Sequence, residues 1–331
     1  MRTPRFWYNT KHSILPLLLT PLSWIYSLVY KNLQHHAKPW QAPIPVICVG
    51  NITAGGQGKT PLALSICKAL KLNYKTVHFI SRGYGGSLRG PLLVDPNVNT
   101  SSEVGDEPLL LSEIAPTWVS ANRKTGIELA HKMGAEIIVM DDGFQNLSVK
   151  KDFSIVVIDG ETGFGNGRLL PAGPLREGII EGLSRANAVV IIGEDCLDLE
   201  ITLSDTYSCR SQKPIDIYAA QLIPTANSLP LLNEKVYAFT GIGRPEKFFK
   251  TLNEVGCDIT GKQNFSDHHQ FTEAEISKLR KLAHATNSKL ITTSKDYVRL
   301  TPSQQKNIKV LPVTLKWRDR SALDNILKSF I

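Results

Sequence analysis

The stretch from residue 46 to residue 62 constrains the fold of this chain more than any other. Val46 to Val49 is an apolar run of the kind that forms a strand buried on both faces, and glycine-rich sequence follows it directly. A helical pattern then begins at Lys59, with Pro61 in the first turn, where a missing N–H is tolerated. The sequence therefore predicts a strand, a loop and a helix in immediate succession.

The loop of this unit is typical of a nucleotide phosphate-binding loop. Its glycines let backbone N–H groups surround phosphate oxygens, Lys59 adds a cation, and Thr60 offers a hydroxyl to Mg²⁺. Thr53 stands where the usual motif begins with glycine, so an ordinary glycine-rich turn is the alternative. Ala54 occupies the position of the signature lysine of partitioning ATPases, which disfavours that subgroup.

Charge is distributed unevenly along the chain. The net charge is +8, yet the first 94 of the 331 residues hold 11 Lys and Arg and no Asp or Glu. This asymmetry favours anionic partners such as phospholipid headgroups, substrate phosphates or nucleic acid, although a solvated basic face would give the same count. Five cysteines without metal-binding spacing indicate a reducing compartment. The length and an apolar content of 42% predict two folded units.

Residues 13–30 form an uncharged stretch near the N-terminus. Its 18 residues are marginal for a membrane span, Pro16 and Pro21 interrupt it, and basic residues flank it. We interpret it as an interfacial membrane anchor, and the alternative is a helix packed on the protein's own core. A signal peptide is disfavoured because no small-residue cleavage site follows.

Two acids follow a predicted strand at residues 136–140. Asp141 and Asp142 would lie at the carboxyl end of that strand, where a phosphate-loop enzyme needs a carboxylate for Mg²⁺. The signal is weak alone and more specific when paired with the phosphate loop some 80 residues earlier.

Three further groups have both a chemical and a structural interpretation. Arg82 follows a predicted strand and could meet phosphate or sugar, or form a surface salt bridge. Asp106 and Glu107 could include a general base, or serve as acids favoured at a helix start. Asp267 and His268 could form an acid/base unit, or a surface or capping pair.

The remaining chain predicts a long loop and a second α/β unit. Residues 160–178 contain six glycines and form either a shaped ligand loop or a lid without chemistry. Residues 194–225 are polar and predict an irregular connector. Strands at 236–239, 290–292 and 310–313 and a capping box at Thr272 then predict the second unit. A Rossmann cofactor site is disfavoured because Gly241-Ile-Gly-Arg lacks the third glycine.

Taken together, these motifs closely resemble the tetraacyldisaccharide 4'-kinase family, the lipid A 4'-kinases of Gram-negative bacteria. The matching segments are residues 49–61, 81–85, 104–108, 141–145, 165–177 and 265–268. Thr53 in place of the first glycine is itself a habit of this family. The resemblance implies an α/β fold: a P-loop NTPase-like core with a parallel sheet, a smaller C-terminal α/β lobe and an N-terminal membrane-associated helix. The implied domains are the N-terminal segment 1–35, the kinase core 36–225 and the C-terminal lobe 226–331.

The resemblance also implies a reaction and a location. The expected activity is ATP-dependent phosphorylation of the 4'-hydroxyl of an acylated glucosamine disaccharide 1-phosphate, giving lipid IVA, with ATP and Mg²⁺ as cofactors. The expected place is the cytoplasmic face of the bacterial inner membrane, with peripheral or N-terminal attachment to its lipid surface. Neither nucleic acid nor an obligatory protein partner is expected.

Site residues carry over by motif position. ATP phosphates are assigned to the loop residues Thr53, Ala54, Gly55, Gly56, Gln57, Gly58, Lys59 and Thr60. Catalysis is assigned to Asp106, His268 and Lys59, metal binding to Thr60, Asp141, Asp142 and Glu177, and substrate contact to Arg82, Arg123 and Asn166. His268 is preferred over His269 by register, and the choice between Asp141 and Asp142 as metal ligand stays open.

The main rival is a phosphate-loop switch or membrane-positioning ATPase whose output is partner binding. Ala54 weighs against it, and the guanine-recognition motifs of GTPases are missing from the sequence. A nucleic-acid protein would suit the charge, but the chain lacks an aromatic-basic binding pattern.

Overall fold

Short runs of aliphatic and β-branched residues form the centre of a nine-stranded sheet, in strand order β13-β8-β7-β6-β1-β5-β2-β4-β3. The computed structural model describes residues 4–8, 13–72, 76–210, 215–225, 231–328 and 330. The nine strands are β1 (Val46–Gly50), β2 (Val77–Ser81), β3 (Leu92–Leu93), β4 (Thr117–Val119), β5 (Ile137–Asp141), β6 (Phe153–Asp159), β7 (Ala188–Ile192), β8 (Asp216–Pro224) and β13 (Val313–Trp317). The strands from β8 to β4 in this order run parallel, and the outermost strands β13 and β3 pair antiparallel.

Helices cover both faces of this sheet and bury two apolar clusters. The helices of this part of the chain are α1 (Leu15–His36), α2 (Lys59–Leu70), α3 (Ser101–Val104), α4 (Asp106–Ser112), α5 (Arg123–Lys132), α6 (Ile179–Leu183), α7 (Leu199–Arg210) and α12 (Ala322–Leu327). The register sets Val49 of β1 beside Asp141 of β5 and Ile155 of β6. The carboxyl ends of these neighbouring strands therefore meet at one edge, where parallel sheets bind ligands.

A second, four-stranded parallel sheet forms the C-terminal lobe, in the order β10-β9-β11-β12. Its elements are β9 (Lys235–Thr240), α8 (Pro245–Glu254), β10 (Asp258–Asn264), α9 (Glu273–Ala285), β11 (Lys289–Thr293), α10 (Ser294–Tyr297), α11 (Pro302–Gln305) and β12 (Ile308–Leu311). The predicted capping box is confirmed, because Thr272 and Glu275 cap α9 reciprocally. The division at residues 225 and 226 stays a prediction, and β13 returns residues 313–317 to the first sheet.

The structure corrects two predictions about secondary structure. The expected connector at residues 194–225 contains α7 and β8. Asp195 accepts hydrogen bonds from the N–H groups of Leu199 and Glu200, so this polar residue marks the start of α7. In β8, Ala220 is the one fully buried residue, so the strand has little apolar pattern. The strand expected at residues 310–313 is two strands in different sheets, because Pro312 separates β12 from β13.

Helix α1 packs on the protein through its polar side and exposes its apolar side. Ser23 donates to the carbonyl of Leu169, Tyr26 donates to the carbonyl of Arg176, and Thr20 accepts from Arg168. The exposed apolar side chains of the helix are Leu15, Leu17, Leu18, Leu22, Trp24, Ile25, Leu28, Val29 and Leu33. Within the described part of the chain, none of the helices combines the length and the apolar character needed to cross a membrane.

Candidate functional site

The phosphate loop lies between β1 and α2, as the sequence predicts. Gly58 precedes α2 with φ 89°, a left-handed conformation that favours glycine. Lys59 lies with its Nζ 3.4 Å from the carbonyl oxygen of Gly55 and 3.8 Å from Oδ1 of Asp142. The loop thus presents glycine backbone, a lysine ammonium group and the start of a 12-residue helix on one side, which is the arrangement that binds phosphate.

The long glycine loop supports the phosphate loop from one side. Thr53 and Leu175 form an isolated antiparallel bridge, the N–H of Ala54 donates to the carbonyl of Pro174 over 2.7 Å, and the N–H of Arg176 donates to the carbonyl of Ile52 over 2.7 Å. The segment 174–176 is therefore part of the framework of the site, which the glycine content alone did not indicate.

Asp141 and Asp142 differ in their surroundings. Thr60 donates its hydroxyl to Oδ2 of Asp141 over 3.2 Å, while Oδ1 of Asp141 is buried and has no hydrogen-bond partner among the described residues. Burial, aided by the negative charge of Glu107, raises the pKa of Asp141 to about 7. Arg176 donates to Oδ1 of Asp142 over 3.0 Å.

Partial burial of Asp142 raises its pKa, but the charges of Lys59 and Arg176 lower it more, to about 2. A buried carboxylate oxygen without a donor, beside a threonine hydroxyl, suits a hard divalent cation such as Mg²⁺. Thr60 and Asp141 therefore fit the predicted metal site, and Asp142 already has two cationic neighbours.

Glu177 and Asn166 lie in the framework around the loops. Glu177 is buried and accepts from Gln145 over 2.9 Å at one carboxylate oxygen, and it pairs with Arg185 through the other. Asn166 donates to the carbonyl of Ala172 over 2.9 Å. Both side chains have protein partners, so the geometry favours a supporting role over direct contact with metal or substrate.

Arg82 and Arg123 lie near each other beside the acidic end of β5. Arg123 is buried, its Nη1 donates to the carbonyl of Ser120, and its Nε has no partner among the described residues. Burial and the positive charge of Arg82 lower the pKa of Arg123 to about 10. Arg82 is exposed. Neither guanidinium group bonds a carboxylate of the described residues, and two such neighbouring groups favour an anionic ligand.

The structure brings Asp106 and His268 together across the two lobes. Asp106 begins α4 in a buried position, and its Oδ1 lies 3.2 Å from Nδ1 of His268. Burial raises the pKa of Asp106, but His268, Arg299 and Lys295 lower it more, so it falls well below its usual range. The hydrogen bond with Asp106 raises the pKa of His268. His269 instead bonds Glu275, over 3.0 Å, which agrees with the preference for His268.

Sequence reasoning missed Arg299 as a member of this pair's surroundings. Its Nη2 lies 2.5 Å from Oδ2 of Asp106, and the two residues are 193 positions apart. Glu107, next in the chain, accepts from Lys295 over 2.7 Å, so both acids have cationic partners. The sequence signal for it was its spacing of three residues from Asp296, which lies in the short helix α10 that Arg299 follows.

A second contact between the lobes was also missed. Asp159, at the carboxyl end of β6, accepts from both Arg244 and Lys247 over 2.6 Å. The sequence offered no signal for it beyond the acid at a strand end.

Comparisons with known proteins bear on the family and on the fold. The family described as Tetraacyldisaccharide-1-P 4'-kinase matches residues 15–331. The tetraacyldisaccharide 4'-kinase of Rhodospirillum centenum is 43% identical, covering 99% of this chain and 96% of its own length. That of Parvibaculum lavamentivorans is 46% identical, covering 91% and 87%. A crystal structure of LpxK from Aquifex aeolicus in complex with ATP has a TM-score of 0.73 and 26% identity, covering 96% of this chain and 99% of its own.

Proposed function

The chain belongs to the tetraacyldisaccharide-1-P 4'-kinase family, and on this basis we propose how its residues divide the work of the reaction. The protein is an ATP-dependent kinase that phosphorylates the 4'-hydroxyl of tetraacyldisaccharide 1-phosphate to give lipid IVA in lipid A biosynthesis. The fold, with a phosphate loop at the carboxyl edge of a parallel sheet, is that of a phosphate-loop kinase. The roles of individual residues are our proposal.

The residues from Thr53 to Thr60 bind the ATP phosphates, with Lys59 neutralising their charge. The observation that carries this assignment is Oδ1 of Asp141, which is buried without a hydrogen-bond partner among the described residues and lies beside Thr60 in the first turn of α2. Thr60 and Asp141 hold Mg²⁺, and Asp142 supports them from its pairing with Arg176. When bound, Mg²⁺ would neutralise phosphate charge, which phosphoryl transfer needs more than covalent catalysis.

Asp106 accepts the proton of the 4'-hydroxyl, and His268 orients the carboxylate of Asp106. Since the pKa of Asp106 is depressed, this carboxylate is ionised at neutral pH and ready to accept a hydrogen bond from an alcohol. The carboxylate of Asp106 is a weak base. This suits a loose transition state, in which most of the change in bonding lies at the transferred phosphoryl group. Positioning, more than basicity, is therefore the contribution of the pair.

Arg82 and Arg123 contact anionic groups of the substrate or nucleotide. Their neighbouring positive charges, and the unpartnered Nε of Arg123, support this role. Glu177 and Asn166 act through the loop that they fix, because their polar atoms already bond protein groups.

Helix α1 attaches the enzyme to the lipid surface in which its substrate lies. Its apolar side chains point away from the protein, and its polar side bonds the loop 168–177, so the helix joins a lipid-binding surface to the site. The acid-free first 94 residues add attraction to anionic headgroups. We place the protein at the cytoplasmic face of the inner membrane, attached peripherally.

The test is ATP turnover by the purified chain in detergent, with and without an acylated glucosamine disaccharide monophosphate. We expect turnover that depends on this acceptor and forms a disaccharide bisphosphate. Acceptor-independent ATP hydrolysis of equal rate would favour the switch or positioning ATPase instead.

A further inference from the structure

Arg299 joins Asp106 to the buried interior of the C-terminal lobe. Its side chain is buried, with 1% exposed. On one side, Nε and Nη2 donate to Oδ2 of Asp106 over 3.2 and 2.5 Å. On the other side, Nη1 donates to Oδ1 of Asp296 over 2.9 Å and to the carbonyl of Gly241 over 2.8 Å. One guanidinium group thus spans from the second lobe to the proposed base of the first.

Asp296 is held as firmly as Arg299. It is fully buried and accepts hydroxyl hydrogen bonds from Thr240 over 2.6 Å and from Thr293 over 2.7 Å. It also accepts from the N–H of Gly241 over 2.9 Å. Both oxygens of the Asp296 carboxylate accept hydrogen bonds. Through Asp296, Arg299 is therefore anchored to the ends of two strands, β9 and β11, and its guanidinium group has a fixed position.

The same backbone carbonyl also fixes His268. The N–H of His268 donates to the carbonyl of Gly241 over 3.1 Å, and His268 has φ 57°, a left-handed conformation unusual for a residue with a side chain. Gly241 therefore sets the positions of both groups that approach Asp106. Nδ1 of His268 lies 3.2 Å from both carboxylate oxygens of Asp106, and Arg299 donates to Oδ2, so two groups of the C-terminal lobe hold this carboxylate.

We propose that Arg299 is a positioning residue for the phosphoryl transfer, which orients Asp106 toward His268 and the acceptor hydroxyl through a guanidinium anchored on Asp296 and Gly241. The inference rests on the proposed Asp106 and His268 pair and deepens it. It requires the fork of arginine, since a lysine ammonium group is a point charge that cannot bond two carboxylates and a carbonyl in one plane. A displaced carboxylate would lower turnover and leave nucleotide binding unchanged.

The experiment compares Arg299→Lys with Arg280→Lys in the full-length enzyme. Arg280 lies in the same lobe and donates to the backbone carbonyls of Ser303, Gln304 and Lys306, away from Asp106. We expect Arg299→Lys to lower kcat at saturating substrates on the order of 100-fold while KM for ATP stays the same. Arg280→Lys should leave both constants unchanged. Circular dichroism and thermal melting report whether each variant is folded.

A double-mutant cycle with His268→Ala separates positioning from a structural role. If Arg299 acts by directing Asp106 toward His268, Arg299→Lys should reduce kcat much less in the His268→Ala background than in the wild type. Losses that multiply in full, or a folded Arg299→Lys variant with wild-type kcat, would overturn the inference. The proposed catalytic pair of Asp106 and His268 is refuted by a different result, namely wild-type turnover in both Asp106→Asn and His268→Ala. Should Arg299→Lys not fold, Thr293→Val, which removes one anchor of Asp296, must reproduce the loss of kcat or the inference falls.

Discussion

Replacing Lys59 by alanine should abolish most kinase activity without unfolding the protein. Lys59 lies at the first position of α2, and its Nζ approaches the carbonyl of Gly55 and the carboxylate of Asp142. A phosphate oxygen in the loop would lie at a comparable distance. At about 4 Å and an effective dielectric constant of about 20, one pair of unit charges interacts by about 4 kcal/mol. Because about 1.4 kcal/mol corresponds to a tenfold change in rate, we expect kcat/KM to fall about 10³-fold.

The effect on stability should be small by comparison. Lys59 is 3.8 Å from Asp142, and Asp142 keeps its closer partner Arg176 at 3.0 Å after the substitution. Partly exposed pairs of this kind contribute about 1 kcal/mol or less. The midpoint of thermal unfolding should therefore change little, although the rate of phosphoryl transfer falls strongly.

The assay is the initial rate of acceptor phosphorylation against ATP concentration, with a melting curve for each variant. Lys68→Ala is the matched control, because Lys68 lies in the last turn of the same helix and is exposed. Near-normal turnover by Lys59→Ala at saturating ATP would refute the assignment of the loop to nucleotide phosphates. Equal losses in Lys59→Ala and Lys68→Ala would trace the effect to the helix as a whole.

Three other predictions concern the metal, the cross-lobe pair and the membrane. Asp141→Asn should raise the Mg²⁺ concentration for half-maximal activity about tenfold or more, and Asp142→Asn should raise it less. Unchanged Mg²⁺ dependence in both variants would show that the metal site lies elsewhere. Asp106→Asn and His268→Ala should each lower kcat about 100-fold with little change in ATP affinity, and the double variant should be little worse than the poorer single one; multiplicative losses would argue for independent roles. Leu28→Glu, at a side chain that is 72% exposed, should weaken sedimentation with anionic vesicles and spare ATP binding, whereas unchanged partitioning would count against attachment through α1.

The sequence predicted those parts of the fold that depend on local pattern. The strand β1, the loop and α2 follow from an apolar run, glycines and Pro61 within 17 residues, and the structure confirms them. Asp141 at the end of β5 is confirmed for the same reason, since a buried strand ends where the polar residues begin. Strand β8 was missed because its one fully buried side chain is Ala220 and its apolar pattern is weak.

Long-range contacts of the candidate site were beyond such reasoning. The partners of Asp106 lie 162 and 193 residues away, at His268 and Arg299. A family motif led to His268, while the spacing of three residues between Asp296 and Arg299 is also typical of an ordinary surface salt bridge. Burial decides between the two interpretations, and burial of a charged side chain depends on how the lobes pack.

Charged groups join the two lobes on both sides of the phosphate loop, beside an apolar contact of Val298 with the cluster that contains Val104 and Leu109. On one side Asp106 contacts Arg299 and His268, and on the other Asp159 contacts Arg244 and Lys247. The pairs of Asp159 with Arg244 and Lys247 are partly exposed on their cationic side, so they exchange with water or with an anionic ligand at small net free energy. The pair of Asp106 with Arg299 is buried and costly to break. A kinase that must admit both a soluble nucleotide and a lipid-borne acceptor needs at least one contact between the lobes that can open. The acids at the carboxyl edge of the large sheet therefore have two functions in our proposal: Asp106 organises the transfer chemistry through a fixed contact, and Asp159 holds the second lobe over the phosphate loop by a contact that can open.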